Sequence, residues 1–220
     1  MDPGMNQLLK WSIENSEDAK SDPTSTTDPK AERPSGRSVN AEALHALMGG
    51  PSDADLMRES MAAILRSDIT LENKLVAFDN FEQLIENIDN ANNMENIGLW
   101  TPLVSLLAND EPEIRRYAAW CFGTAVQNNE KCQARLLAVD AIPKLINLAL
   151  GDSNEGVRRK AIYALSSEVR NYQPGLDATV PALPKTIVPE GAIDSGNMDA
   201  IDQIMERMRE ESSIKAARDH

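Results

Sequence analysis

The side chains that most often do covalent or metal chemistry are scarce in this 220-residue chain. There are two histidines, His45 and His220, and two cysteines, Cys121 and Cys132. A zinc site needs three or four such ligands at tight spacings, and a nucleophilic cysteine needs a histidine brought to it by the fold. Cys121 lies within Trp120-Cys121-Phe122, an apolar stretch in which a thiol behaves as a small hydrophobe. His45, in Ala-Leu-His-Ala-Leu, reads as an exposed helix position, and Gly49-Gly50-Pro51 lacks the Lys-Ser/Thr of a phosphate loop and reads as a helix stop. No catalytic residue, metal or cofactor is expected. The chemistry left to such a chain is recognition. One recurrent set of side chains suits it: Trp120, Thr124, Gln127 and Asn128 stand 43 residues before Tyr163, Ser167, Arg170 and Asn171, and Asp79 and Gln83 stand 41 before Trp120 and Thr124. An aromatic ring followed at helical spacing by polar groups, repeated across units, is the composition of a binding surface. The alternative is that Trp120 and Tyr163 pack between helices, and spacing alone leaves both open.

The elements that must position this ladder follow from an internal repeat. Trp100-Thr-Pro-Leu-Val-Ser-Leu-Leu-Ala and Ile114-Arg-Arg-Tyr-Ala-Ala-Trp-Cys-Phe are matched by Ala141-Ile-Pro-Lys-Leu-Ile-Asn-Leu-Ala and Val157-Arg-Arg-Lys-Ala-Ile-Tyr-Ala-Leu. Pro102 and Pro143 are 41 apart, and the Arg115-Arg116 and Arg158-Arg159 pairs 43. Each unit reads as a helix with proline in its first turn, a polar turn, then a second amphipathic helix. A helical period of 41–43 falls in the armadillo/HEAT range, so the expected fold is all-α, an armadillo-like right-handed solenoid over residues 39–220. Clear repeats are expected at about 98–139 and 140–173, and a cap at 174–220.

Before the clear repeats, helices are expected over Ala41–Met48, from Ser52 or Asp53 to about Arg66, and from Leu71 to about Asp89. The last has a stripe of Ala77, Phe81, Leu84, Ile85 and Ile88, and Asp89-Asn90-Ala91-Asn92-Asn93 closes it as a polar turn. After the repeats, Tyr172-Gln173-Pro174-Gly175 reads as a helix break. A final helix begins at Asn197 or Asp199 with Ile201, Ile204, Met205 and Met208 on its apolar side. At the other end, residues 1–15 carry Met5, Leu8, Leu9, Trp11 and Ile13, and residues 16–38 contain no Val, Ile, Leu, Met or aromatic but three prolines. Such a stretch cannot bury enough apolar area to offset its ordering entropy and reads as a disordered linker, so residues 1–38 form a flexible N-terminal arm.

Charge narrows the partner. Lys and Arg total 22 against 35 Asp and Glu, a net charge of −13. This argues against nucleic acid and against an anionic membrane surface. No apolar run approaches the roughly 18 residues of a spanning helix, and no secretory signal is apparent, so a cytoplasmic location is expected; the chain is also expected to be a monomer. An extended basic peptide along the groove is one partner for an acidic armadillo scaffold, although two clear repeats make a short groove.

Several segments go further. Leu8-Leu-Lys-Trp-Ser-Ile-Glu-Asn-Ser16, Gly49-Gly-Pro-Ser-Asp-Ala-Asp-Leu-Met57, Lys74-Leu-Val-Ala-Phe-Asp-Asn-Phe-Glu82, Asp89-Asn-Ala-Asn-Asn93 and Gly123-Thr-Ala-Val-Gln-Asn-Asn129 together resemble the Fes/HspBP family. The likeness is to its fungal cytosolic form and runs from Met5 to about Gln173. It implies an armadillo-type nucleotide exchange factor that grips the nucleotide-binding domain of a heat shock protein 70-class (DnaK-class) chaperone and promotes release of ADP and client. It also implies that Asn90, Ala91 and Asn92 belong to the contact surface. The apolar island of Leu8, Leu9, Trp11 and Ile13, on a tether reaching about 25 Å, is expected either to visit the chaperone's client site or to dock on the repeats as an extra cap.

Overall fold

The computed structural model describes residues 49–218, with side chains to 214. The arm residues Leu8, Leu9, Trp11 and Ile13, the linker, the expected helix Ala41–Met48 and both histidines lie outside the described residues. Every described helix belongs to the unit Asp53–His220. In order they are α1 (Asp53–Leu65), α2 (Leu71–Ile85), α3 (Ile88–Asn93), α4 (Trp100–Leu106), α5 (Pro112–Val126), α6 (Glu130–Ala138), α7 (Ile142–Gly151), α8 (Glu155–Val169), α9 (Gln173–Thr179), a 3₁₀ turn (Val180–Ala182) and α10 (Met198–Arg218). Among the described residues there is no strand, and the fold is an all-α, armadillo-like solenoid.

The long helices α2, α5 and α8 stack side by side, α5 between the other two. That position explains why α5 is apolar almost all round: Ile114, Tyr117, Ala118, Ala119, Cys121, Phe122, Ala125 and Val126 are all buried. Small Ala118 and Ala119 let its neighbours close in, while Phe78 of α2 meets Tyr117 at 5.4 Å and Trp100 of α4 meets Phe122 at 5.8 Å between ring centroids. Proline occupies the first turn of α5, α7 and α9, where a missing N–H costs no helical bond. Thr70, Asn87, Asn129 and Asn154 each accept a backbone N–H at a helix start.

The paired arginines have an architectural role. Arg115 donates from Nη1 to the carbonyls of Asn109 and Asp110, both at 2.8 Å, closing the turn before α5. Its Nε and Nη2 grip the Asp152 carboxylate of the following unit at 2.7 and 3.0 Å. The Asp152 side chain is only 3% exposed. Lysine cannot reproduce that fork. Arg115→Lys is therefore expected to lower stability by about 1–2 kcal/mol, read as a shift in denaturant midpoint; a wild-type midpoint would show that the fork is energetically idle.

The structure corrects the sequence reading at several points. Helix α2 stops at Ile85 instead of running to Asp89, so Ile88, expected on its buried stripe, is 54% exposed. Asp89–Asn93 is not a turn but helix α3, started by the Asn87 side chain. Its Ala91, expected at the surface, is 1% exposed within the core. Each repeat holds three helices where two were expected: α6 and α9 add a short one after each long one. Tyr172-Gln173-Pro174-Gly175 does not end the pattern but starts α9, with Pro174 in its first turn. Helix α10 packs on α7 and α8 with Ile201, Ile204, Met205 and Met208 buried, and the Asn197 side chain accepts the Ala200 N–H at its start.

Candidate partner-binding face

The exposed sides of α2, α5 and α8 form one continuous face, and most of the ladder meets there. Trp120 and Tyr163 are both half-buried, one side packed and one open, which settles between surface and core by giving each ring both roles. The Trp120 ring stacks at 5.6 Å on Tyr117, and Lys160 Nζ stands 3.6 Å above it and 5.6 Å from the Tyr163 ring. The Tyr163 hydroxyl donates to Gln127 Oε1 at 3.1 Å across the α5–α8 seam. Thr124 Oγ1 donates to Glu82 Oε1 at 2.6 Å across the α2–α5 seam. Gln83 is exposed and Asp79 half-buried on α2.

The charges on this face are held partly out of water. Burial pushes the Glu82 carboxyl up from its ordinary value, against the hydrogen bond from Thr124, which lowers it. Burial pulls the Lys160 ammonium down, against the attraction of Glu82. The Tyr117 phenol rises through burial, with Asp79 adding to it. A carboxylate, an ammonium and three rings thus lie together in a setting where a partner's charges interact more strongly than in open water.

Lys160 on the face, and Glu82, Tyr117 and Gly123 buried beneath it, were missed by the sequence reading. The 43-residue offset contained the signal for two of them, since it pairs Tyr117 with Lys160 one turn before Trp120 and Tyr163. Gly123 is a packing requirement. A Cβ there would fall inside the van der Waals radii of Tyr163 Cδ1 and Cε1 and lie 3.2 Å from Ala164 Cα. Glycine costs a helix interior about 1 kcal/mol against alanine, so its place in α5 is explained by this approach. Gly123→Ala is expected to reverse the usual preference, lowering stability by about 1–3 kcal/mol as the Tyr163 ring is displaced. A thermal melt reads it, and a variant more stable than the parent would overturn the packing account.

Two other ladder positions, Ser167 and Arg170, are not part of the open face. Ser167 is buried, and its carbonyl accepts from Gln133 at 2.9 Å. Arg170 is taken by α10: it pairs with Asp202, and its Nη1 lies 3.3 Å from Met198 Sδ. Asn128 and Asn171 are exposed but recur for a backbone reason. Both adopt left-handed φ values, 53° and 55°, at the turn from a long helix to the next short one, where asparagine is tolerated. Asn90, Ala91 and Asn92 sit on α3 and serve the fold. Asn90 Nδ2 donates to Asp53 Oδ2 and to the Leu84 carbonyl at 2.9 and 3.0 Å, and Asn92 Oδ1 lies 3.6 Å from Cys132 Sγ. The two cysteines are free and buried, and burial pushes the Cys132 thiol up to about 12 and that of Cys121 well above its ordinary value. Neither is poised as a thiolate. Among the described residues no cluster of three or more His, Cys, Asp or Glu could hold a metal ion, and no helix is long and apolar enough to cross a membrane.

Comparison with known proteins decides the family. Residues 5–94 match the family model for nucleotide exchange factor Fes1, and residues 90–175 match that of the SIL1/FES1/HPBP1 C-terminal domain. The Hsp70 nucleotide exchange factor FES1 of Gibberella zeae is 52% identical over 213 residues, covering 95% of this chain and 97% of its own length. The chain belongs to the Fes1 family. The protein of the same name from Coccidioides immitis is 55% identical, with 96% and 99% covered, and that from Saccharomyces cerevisiae is 42% identical, with 81% and 63% covered. The crystal structure of an engineered protein shares the fold alone, with a TM-score of 0.50, 15% identity, and 78% and 71% of the two chains covered. Membership covers residues 5–175 of this Fes1-family chain, which include the whole of the α2–α5–α8 face.

Proposed function

We propose that this chain is a nucleotide exchange factor for a heat shock protein 70-class chaperone, acting in the cytoplasm as a monomeric co-chaperone and performing no covalent chemistry. The observation that carries the reading is near-complete coverage, at about half identity, of relatives named as Hsp70 nucleotide exchange factors. The geometry supports it. The α2–α5–α8 face is preformed by packed helices, and its polar groups are already tied to each other across the seams. A rigid surface that binds the open form of a two-lobed nucleotide-binding domain more tightly than the closed form shifts that equilibrium by its differential affinity. A difference of about 2–3 kcal/mol changes ADP affinity roughly 30- to 150-fold.

Fluorescent ADP loaded on the chaperone and chased with unlabelled nucleotide tests the reading. The chain is expected to accelerate release in proportion to complex formed. Trp120→Ala is expected to weaken the complex by about 2 kcal/mol, roughly 30-fold, because the ring is a partly open aromatic anchor carrying a cation. Circular dichroism keeps folding and binding apart. A folded Trp120→Ala variant with parental exchange would remove the ring from the interface. Binding of basic peptides with no effect on ADP release would favour the scaffold reading instead.

A further inference from the structure

Arg158 stands 43 residues after Arg115 and repeats only part of its work. Its Nη1 closes the preceding turn in the same way, donating to the carbonyls of Asp152 and Ser153 at 2.8 and 3.1 Å. The other edge differs. In Arg115 the Nε/Nη2 edge closes on a carboxylate, Asp152. In Arg158, Nε donates to the neutral Ser212 hydroxyl at 2.7 Å, and Nη2 makes no hydrogen bond among the described residues. That edge borders a cavity of about 650 Å³ between α8 and α10, lined also by Arg159, Arg209 and Ser213, with Glu155 its one acid. Arg159 is exposed and makes no ion pair among the described residues. Arg209 reaches only Glu206, at 3.6 Å with both side chains more than half exposed, a pairing of little strength. Three guanidinium groups around one cavity invert the local charge of a chain whose net charge is −13.

We propose that this cavity receives a carboxylate side chain of the protein partner, taking the place that Asp152 holds for Arg115. The proposal rests on the reading of the α2–α5–α8 face as the chaperone-binding surface. Tyr163 belongs to that face and lines the cavity too, so a partner seated on the one reaches the other. Arginine is suited to the role because its planar fork matches the two oxygens of a carboxylate. The cavity is half open, which fits a side chain projecting from a protein surface. Its acceptor would be an aspartate or glutamate at the edge of the partner's contact area.

Two experiments on the full chain with a nucleotide-free Hsp70-class chaperone test this. In the first, Arg209→Lys places a primary amine at the cavity mouth, and a carbodiimide condenses any touching carboxyl with it into an amide. Peptide mass spectrometry is expected to find position 209 joined to an aspartate or glutamate of the chaperone. In the second, Arg159→Glu combined with Arg209→Glu is expected to weaken the complex about tenfold at physiological salt, with circular dichroism unchanged because both positions are exposed. A doubly substituted chain that binds and releases ADP as the parent does, together with no crosslink at position 209, overturns the cavity as a docking point and leaves the exchange function standing. A parent chain that neither binds the chaperone nor accelerates ADP release overturns the functional reading instead.

Discussion

Ala91→Arg is expected to unfold the start of the solenoid, at a cost of about 3–5 kcal/mol. Ala91 is 1% exposed on α3, and α3 packs against α1, α2, α5 and α6. An arginine there would have to push aside packed core side chains, and its charge would lie among apolar groups. The short helix can admit it only by moving away, which breaks the Asn90 contacts to Asp53 and Leu84. Urea denaturation by circular dichroism reads the loss, and amide exchange locates it in α1–α3. A variant that melts like the parent would mean that α3 is loosely held and that position 91 is free for a partner. Loss of chaperone binding by this substitution is not evidence of contact unless the variant is first shown to be folded.

Glu168→Gln is expected to act in the opposite direction. Glu168 is fully buried on α8, neither carboxyl oxygen has a hydrogen-bond partner among the described residues, and burial pushes its pKa up to about 9. The folded chain therefore holds the proton more tightly than the unfolded chain, whose carboxyl ionises near 4.5. Stability from this group is complete below about pH 4.5 and is lost steadily as pH rises toward 9, by roughly 3 kcal/mol at pH 7. An amide cannot ionise, so the variant should be more stable than the parent at pH 7 and still more so at pH 9, with little difference at pH 4.5. Denaturation midpoints at the three values test it. Equal slopes against pH in both proteins would show that Glu168 is not the titrating group. Gly175 has a part in this arrangement, since a Cβ there would lie 2.7 Å from Glu168 Oε1, and only glycine lets α9 approach so closely.

What was legible in the sequence was whatever repeats. The offsets of 41 and 43 residues located α4, α5, α7 and α8, and placed Trp120 and Tyr163 on one face, because each long helix makes the same contacts as its predecessor. The short helices escaped. Six to nine residues give α3, α6 and α9 at most two and a half turns, too few for an apolar period to show, and the polar side chains of Asp89–Asn93 then read as a turn. Ser167 was misplaced because the end of α8 is covered: α6 contributes Gln133, which donates to its carbonyl. Repetition also has a second source. Asn128 and Asn171 recur because the backbone needs a left-handed residue there, and Glu82, unrepeated in the next units, carried no signal at all.

The bond from Arg115 to Asp152 crosses from one structural unit to the next, and this has a consequence for how the molecule comes apart. When the second unit opens, the first loses the counter-ion of a guanidinium that is only 15% exposed, so its own opening becomes easier. In a linear array, such a link strengthens the coupling between neighbours relative to the stability of each alone. The array then behaves less like beads melting one by one and more like a single cooperative block. The exception is its final boundary, where Arg158 ends on Ser212 and the same coupling is weaker. Fraying is expected to begin there, with α10 exchanging its amides well ahead of α5 and α8.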